Sequence, residues 1–121
     1  ADVRLAVRDH AAMRQAVEEI HVDTDIEGYI VDLVAATRSH RQVVVGSSPR
    51  GALALLKLSR AWAAMQGRSF VLPDDVKRFA RQALSHRLIL EPDLWTVRRA
   101  AAEVVDKIMG AVPVPVIQED E

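Results

Sequence analysis

Hydrophobic positions recur every three to four residues along separate stretches of the chain, the spacing of helices that each bury one face. Asp9 can cap a first helix running to about Ile20, with Ala12, Met13, Ala16, Val17 and Ile20 on its apolar side and Glu18 and Glu19 on a solvated face. Val22-Asp23-Thr24-Asp25 is a polar break, where Thr24 or Asp25 can cap a second helix to about His40. Its stripe of Ile26, Tyr29, Ile30, Leu33, Val34 and Thr37 is the clearest amphipathic pattern in the chain. A third helix is expected from Pro49 to about Gln66, stopped by Gly67. Leu53, Leu55, Leu56, Leu58, Ala61, Trp62, Ala64 and Met65 make it apolar over most of its circumference, which predicts the best-buried, central helix. Pro73-Asp74-Asp75 opens a fourth helix with its acids at the favourable end of the dipole, although Leu72 is a poor cap. Val76, Phe79, Ala80, Ala83 and Leu84 form its buried stripe. Thr96 can cap a last helix to about Met109, with Val97, Ala101, Val104, Val105 and Ile108 inward and Gly110 as its stop.

Between these helices, Val43-Val44-Val45 is a short β-branched run whose natural pairing candidate is Phe70-Val71-Leu72. Ile89-Leu90-Glu91-Pro92 reads as the lead into a loop. Val112-Pro113-Val114-Pro115-Val116 reads as extended, and the acidic residues from Gln118 to Glu121 as a disordered end. The expected fold is therefore all-α, a bundle of about five helices with at most a tiny two-stranded β-ladder. Residues 1–121 form a single domain in this reading, with 1–8 as a lead-in and 111–121 as an extended tail.

Composition narrows the function. At 121 residues the chain can bury roughly two thirds of its unfolded surface, enough for one core. A formal net charge of −1 argues against a nucleic-acid partner, which calls for a basic footprint. With no cysteine there is no disulfide framework or thiolate metal site, and His10, His21, His40 and His86 show no metal-ligand spacing. No apolar run approaches the ~18 residues that a membrane span needs, and no signal peptide is visible, so the expected compartment is the cytoplasm. The chain begins at Ala1 and not Met, which fits a processed chain or one cut from something longer. No phosphate-binding loop with Lys-Ser or Lys-Thr and no Gly-x-Ser-x-Gly elbow is present. Asp74 and Asp75 read as first-turn helix acids, and Arg78, Arg81, Arg98 and Arg99 as solvated faces. Trp62 and Trp95 read as packing residues. The residues do not make a complete enzyme: no catalytic residue and no metal ligand is assigned.

One stretch carries candidate chemistry, Gly46-Ser47-Ser48-Pro49-Arg50-Gly51. Ser48 is a good N-cap and Pro49 suits the first helical position. Arg50 then sits in the first turn, where a cation opposes the helix dipole. Two readings follow. An anion arrives from outside and is held by the helix start together with Arg50. Or Arg50 points into water at a cost of a few tenths of a kcal/mol.

The sequence resembles the C-terminal lid domain of MoxR-family AAA+ ATPases. The resemblance rests on Val45-Gly46-Ser47-Ser48-Pro49-Arg50-Gly51, on Ala61 through Gly67-Arg68, and on Val71-Leu72-Pro73-Asp74-Asp75-Val76-Lys77. Leu84-Ser85-His86-Arg87-Leu88, the Val-Pro tail, Val22-Asp23 and Tyr29 through Arg38 add to it, so that it covers about Ala12 to Pro115. Leu72 departs from the Thr that often precedes Pro-Asp-Asp in such lids. The resemblance implies a helical lid behind the nucleotide of an ATPase core, and that core is absent from these residues. It implies that Arg50 is the sensor 2 arginine that contacts the γ-phosphate, with Ser47, Ser48 and Pro49 as its supporting turn. It also implies ATP and Mg²⁺ as cofactors of the parent ATPase, whose hydrolysis this chain alone would not perform. The implied partners are the nucleotide-binding core, neighbouring subunits of a ring and von Willebrand factor A proteins, with chaperone-like action on clients and no membrane. The alternative is a stand-alone helical interaction module that binds through Trp62, Trp95 or the Val-Pro tail, and a helix-turn-helix DNA binder ranks third.

Overall fold

The computed structural model describes residues 10–116. The expected Asp9 cap and the chain ends at 1–8 and 117–121 lie outside them. Five helices make up the bundle among the described residues: α1 (His10–Glu18), α2 (Thr24–Ser39), α3 (Pro49–Met65), α4 (Pro73–Ser85) and α5 (Ala100–Ala111). Two short strands, β1 (Val43–Val45) and β2 (Ile89–Leu90), form one antiparallel ladder.

α2 buries the whole predicted stripe: Ile26, Tyr29, Ile30, Leu33, Val34 and Thr37. Its cap is Asp23, one residue ahead of the expected pair, whose carboxylate accepts from the Asp25 N–H at 2.8 Å. α3 departs from expectation. It buries only Gly51, Leu55, Ser59 and Ala63, one row at four-residue spacing, and leaves Leu53 and Met65 half exposed. Three of the four side chains in that row are small or absent, and at Gly51 the end of α4 comes so close that Leu84 Cδ2 would lie 3.3 Å from an added Cβ. The buried Ser59 hydroxyl is satisfied by donating to the Leu55 carbonyl at 2.7 Å. α2, not α3, is therefore the helix with the fullest buried face. Gly67, at φ 74°, ends α3 as predicted, and the Arg68 N–H closes the turn onto the Ala63 carbonyl.

The start of α4 is better secured than Leu72 suggested. Asp75 is buried, accepts from the Leu72 N–H at 2.8 Å and takes two 2.6 Å hydrogen bonds from the Arg68 guanidinium. Val76, Ala80, Ala83 and Leu84 are buried as expected, with Phe79 packed at the core's margin. Of the arginines read as solvated, Arg78 lies 3.9 Å from the Trp62 ring centre and Arg81 forks onto Asp106. Trp62 also meets Phe79 edge to face, so it is a packing residue.

Two further expectations fail. β1 pairs with Ile89–Leu90 (Val43 opposite Leu90, Val45 opposite Ile89) and not with Phe70-Val71-Leu72. Phe70 instead bridges in parallel to His21, with the Val71 N–H donating to the His21 carbonyl at 3.0 Å. Each segment is short and apolar, so only its position after the helices docked decides which meets which. The last helix starts at Ala100, not Thr96, because Pro92–Leu94 forms a 3₁₀ turn and Arg99 adopts φ 63° ahead of α5. Trp95 is pinned there by its indole N–H, which donates to the Leu90 carbonyl at 2.8 Å, while Val97 turns outward. α5 also runs through Gly110 to Ala111 and buries Ala100, Val104, Val105 and Ile108.

Tyr29 gives a titratable probe of this core. Its hydroxyl is buried and has no hydrogen-bond partner among the described residues. Burial, and secondarily the Asp74 carboxylate, raises its phenol above the ordinary value of 10.0. Below that value the phenol is neutral in both folded and unfolded chains. Above it the unfolded chain loses its proton first, so stability falls as pH rises through the folded-state value. Tyr29→Phe should lose this part of the alkaline decline. At neutral pH it should be as stable as the parent or up to ~1 kcal/mol more stable, because an unpaired hydroxyl is removed from the core. Urea titrations at pH 8 and pH 10.5 check both, and an equal alkaline loss in the variant refutes the assignment.

Candidate functional site

The turn from Gly46 to Gly51 joins β1 to α3. Ser48 caps the helix, its hydroxyl accepting from the Arg50 N–H at 3.3 Å, and Pro49 occupies the first turn. Among the described residues no acidic side chain lies in that turn. Ser47 is fully buried and bonded at each polar atom. Its N–H donates to Thr37 Oγ1 at 2.9 Å, and its carbonyl accepts from Arg38 Nε at 3.0 Å. Its hydroxyl donates to the Ser48 carbonyl at 3.1 Å. Thr37 Oγ1 in turn donates to the Val34 carbonyl at 2.6 Å, which ties the turn into the buried face of α2.

Both glycines of the turn are required by close approach. A Cβ on Gly46 would stand 2.7 Å from the backbone N and Cα of Arg38, so the chain lies directly on the end of α2. A Cβ on Gly51 would overlap Ser47 Oγ and meet Arg87 Cδ at 3.2 Å and Leu84 Cδ2 at 3.3 Å. The first turn of α3 is thus wedged between Ser47 and the end of α4. Arg87 is held over it by a 2.9 Å hydrogen bond from its Nε to the Ala83 carbonyl.

Arg50 emerges from this fixed base into solvent. Its guanidinium has no hydrogen bond or ion pair among the described residues. Sequence reasoning found Ser47, Ser48, Pro49 and Arg50, and the structure brings them together on one turn. It missed the anchors Thr37 and Arg38, which were read only as the end of an amphipathic helix. Ten and nine residues separate them from Ser47, and no local pattern links them. The Arg68–Asp75 pair was likewise legible only as two motif fragments.

Among the described residues no group of His, Asp or Glu could hold a metal ion, and no helix is long and apolar enough to cross a membrane. His40 ends α2 and its Nδ1 accepts from the Gln42 N–H, and His86 ends α4. Of the two tryptophans suggested as a binding surface, Trp62 is engaged by Arg78 and Phe79, while Trp95 is 68% exposed beside half-exposed Ile89 and Val97.

Comparison with known proteins accounts for this architecture. The family model described as "AAA lid domain" matches residues 35–108, which includes the turn, α3, α4 and most of α5. The uncharacterized protein YeaC of Bacillus subtilis (strain 168) is 38% identical over 112 residues, 93% of this chain and 35% of that protein. Chaperone MoxR1 of Mycobacterium tuberculosis is 28% identical over 120 residues, 92% of this chain and 32% of that protein. The crystal structure of a "putative ATPase" from Cytophaga hutchinsonii superposes with a TM-score of 0.79 at 27% identity, covering 85% of this chain and 34% of that one. The chain spans about a third of the length of each of these relatives. By the family model, the relatives and the superposition together, the chain belongs to the AAA lid domains, and is the lid of an AAA+ ATPase of the MoxR type.

Proposed function

We propose that this domain closes over the nucleotide of an AAA+ core carried elsewhere in the same polypeptide, and that Arg50 is the lid's contact to the γ-phosphate of bound ATP. The observation that carries the reading is the contrast at the turn. Ser47 is immobilised at each polar atom, whereas Arg50, three residues on, is exposed with no partner among the described residues. A cation at a helix start with no acid beside it is electrostatically idle until an anion arrives. A guanidinium grips a phosphate through two parallel N–H donors, a geometry that the ADP state no longer offers at the γ position. The lid then has different contact energies in the two nucleotide states, and that difference biases its orientation on the core. Mg²⁺ and the hydrolytic residues belong to the core. Chaperone-like remodelling of clients follows from the likeness to a protein named a chaperone, whereas a ring of subunits and von Willebrand factor A partners rest on the family resemblance alone, and a cytoplasmic site of action on the sequence reading.

An NMR titration of this chain with Mg·ATP, and separately with inorganic phosphate, tests the reading. Weak binding, with shifts confined to Ser47, Ser48, Arg50 and Gly51 and no hydrolysis, is the expected result. Absence of shifts at that turn overturns the role of Arg50. Micromolar affinity or turnover by this chain alone overturns the assignment of nucleotide binding to a separate core.

A further inference from the structure

We propose that Arg38 is a positioning residue for Arg50, acting through the Ser47 carbonyl, so that the phosphate-sensing turn takes its orientation from α2 as well as from α3. The assignment rests on the reading of Arg50 as a phosphate contact. Arg38 is the basic residue of the last turn of α2, the place where a cation ordinarily serves its own helix's free carbonyls. Its Nε instead donates across to the Ser47 carbonyl at 3.0 Å. Thr37, its neighbour, takes the Ser47 N–H at 2.9 Å. Two consecutive residues of one helix therefore hold both main-chain polar groups of a single residue, and that residue lies three positions before Arg50.

The clamp is rigid on both sides. Thr37 is fully buried and fixed by its own bond to Val34, on a helix that buries six side chains. Gly46 lies so close to the Arg38 backbone that no side chain fits between them, which prevents the turn from sliding along α2. On the far side, Gly51 closes on Ser47 Oγ with no room for a Cβ. Motion of α2 relative to α3 is consequently transmitted to Arg50, and loss of the Arg38 bond frees the Ser47 carbonyl end of the turn. The outer guanidinium nitrogens of Arg38 have no partner among the described residues, so the bond to the Ser47 carbonyl is the polar link of a side chain whose Cγ also lies against Gly46.

The test uses the 121-residue chain and three variants: Arg38→Met, which keeps the aliphatic stem and removes the donor, Arg38→Lys, and Arg50→Ala. Positioning is read first without nucleotide. In Arg38→Met the Ser48 amide, which shares a peptide unit with the Ser47 carbonyl, should shift, and the backbone order of Ser48 to Arg50 should fall. Melting should stay within a few degrees of wild type, since one half-exposed hydrogen bond is lost. Affinity for Mg·ATP, followed at the Gly51 amide, should then weaken ~5-fold in Arg38→Met, with partial recovery in Arg38→Lys. An unchanged Ser48 amide and unchanged order in Arg38→Met overturn the proposal whatever the nucleotide does. So does an Arg38 Nε resonance that moves with Mg·ATP as strongly as that of Arg50, because that marks direct contact. Undiminished Mg·ATP binding in Arg50→Ala sinks the underlying reading of Arg50 instead, while the nucleotide-free measurements still decide whether Arg38 orders the turn.

Discussion

With Arg50 as the proposed γ-phosphate contact, Arg50→Ala in the polypeptide that joins this lid to a nucleotide-binding core should lower ATP turnover at least ~10-fold, because charge-assisted contacts to a phosphate are worth ~1.5–3 kcal/mol. The loss is expected in kcat more than in KM. As the bond to the γ-phosphoryl group breaks, its electron pair goes to the leaving β–γ oxygen, and a guanidinium on the γ-oxygens holds the transferring group in line and stabilises the transition state more than bound substrate. The fold should be untouched. Arg50 is exposed and makes no side-chain bond among the described residues, and the helix cap is made by the Ser48 hydroxyl to the backbone N–H, which alanine retains. Melting temperature therefore serves as the control. Turnover at the wild-type rate would remove Arg50 from the mechanism and return it to a solvated side chain. Arg50→Lys should recover little, since a point charge does not reproduce the bidentate fork.

Asp75→Ala is the expected stability lesion, with a loss of about 3–5 kcal/mol. Its carboxylate is buried, accepts both forks of Arg68 at 2.6 Å and also accepts the Leu72 N–H at the start of α4. Removal takes away the carboxylate that holds two nitrogens of a guanidinium also bonded to the Phe70 carbonyl, and it leaves the Leu72 N–H an orphan backbone donor. For a domain of this size the change corresponds to a fall in melting temperature of roughly 10–20 °C. Thermal denaturation followed by circular dichroism reads it directly. A drop under about 1 kcal/mol would mean that the pair behaves like an exposed one. The contrast with Arg81–Asp106 is instructive. That pair is equally well formed, but its side chains are 49% and 42% exposed, so solvent screens it.

These two residues show what could be read in advance and what could not. Arg50 was visible because its anomaly is local: a cation one residue after Pro49 in a helix start needs no tertiary information to be recognised. Asp75 was equally visible as a first-turn acid, yet its actual role depends on Arg68, which reaches it across the turn that follows α3. The same division runs through the elements. The stripe of α2 matched its burial residue for residue, since an amphipathic period states which face is apolar and a single core leaves one place to put it. The stripe of α3 did not, since a helix apolar on most sides carries no such instruction, and packing buried the row of Gly51, Leu55, Ser59 and Ala63.

What the sequence determined by itself is thus everything set within a few residues: the spans of α2 and α3 to within a residue, the start of α4, the Ser48 cap, the Gly67 stop and the turn that presents Arg50. What only the tertiary structure decided is everything that joins distant segments. Val43–Val45 could pair with either of two short apolar runs, and the return of the chain after α4 brought Ile89–Leu90 to it. The start of α5 moved from Thr96 to Ala100 because Trp95 is tied to Leu90, a contact that outweighs a local cap. Thr37 and Arg38 became anchors of the Ser47 turn because docking laid Gly46 against the end of α2. Local propensity acts over one or two turns of chain, whereas the choice among partners of equal propensity is made by the packing of the helices that carry them.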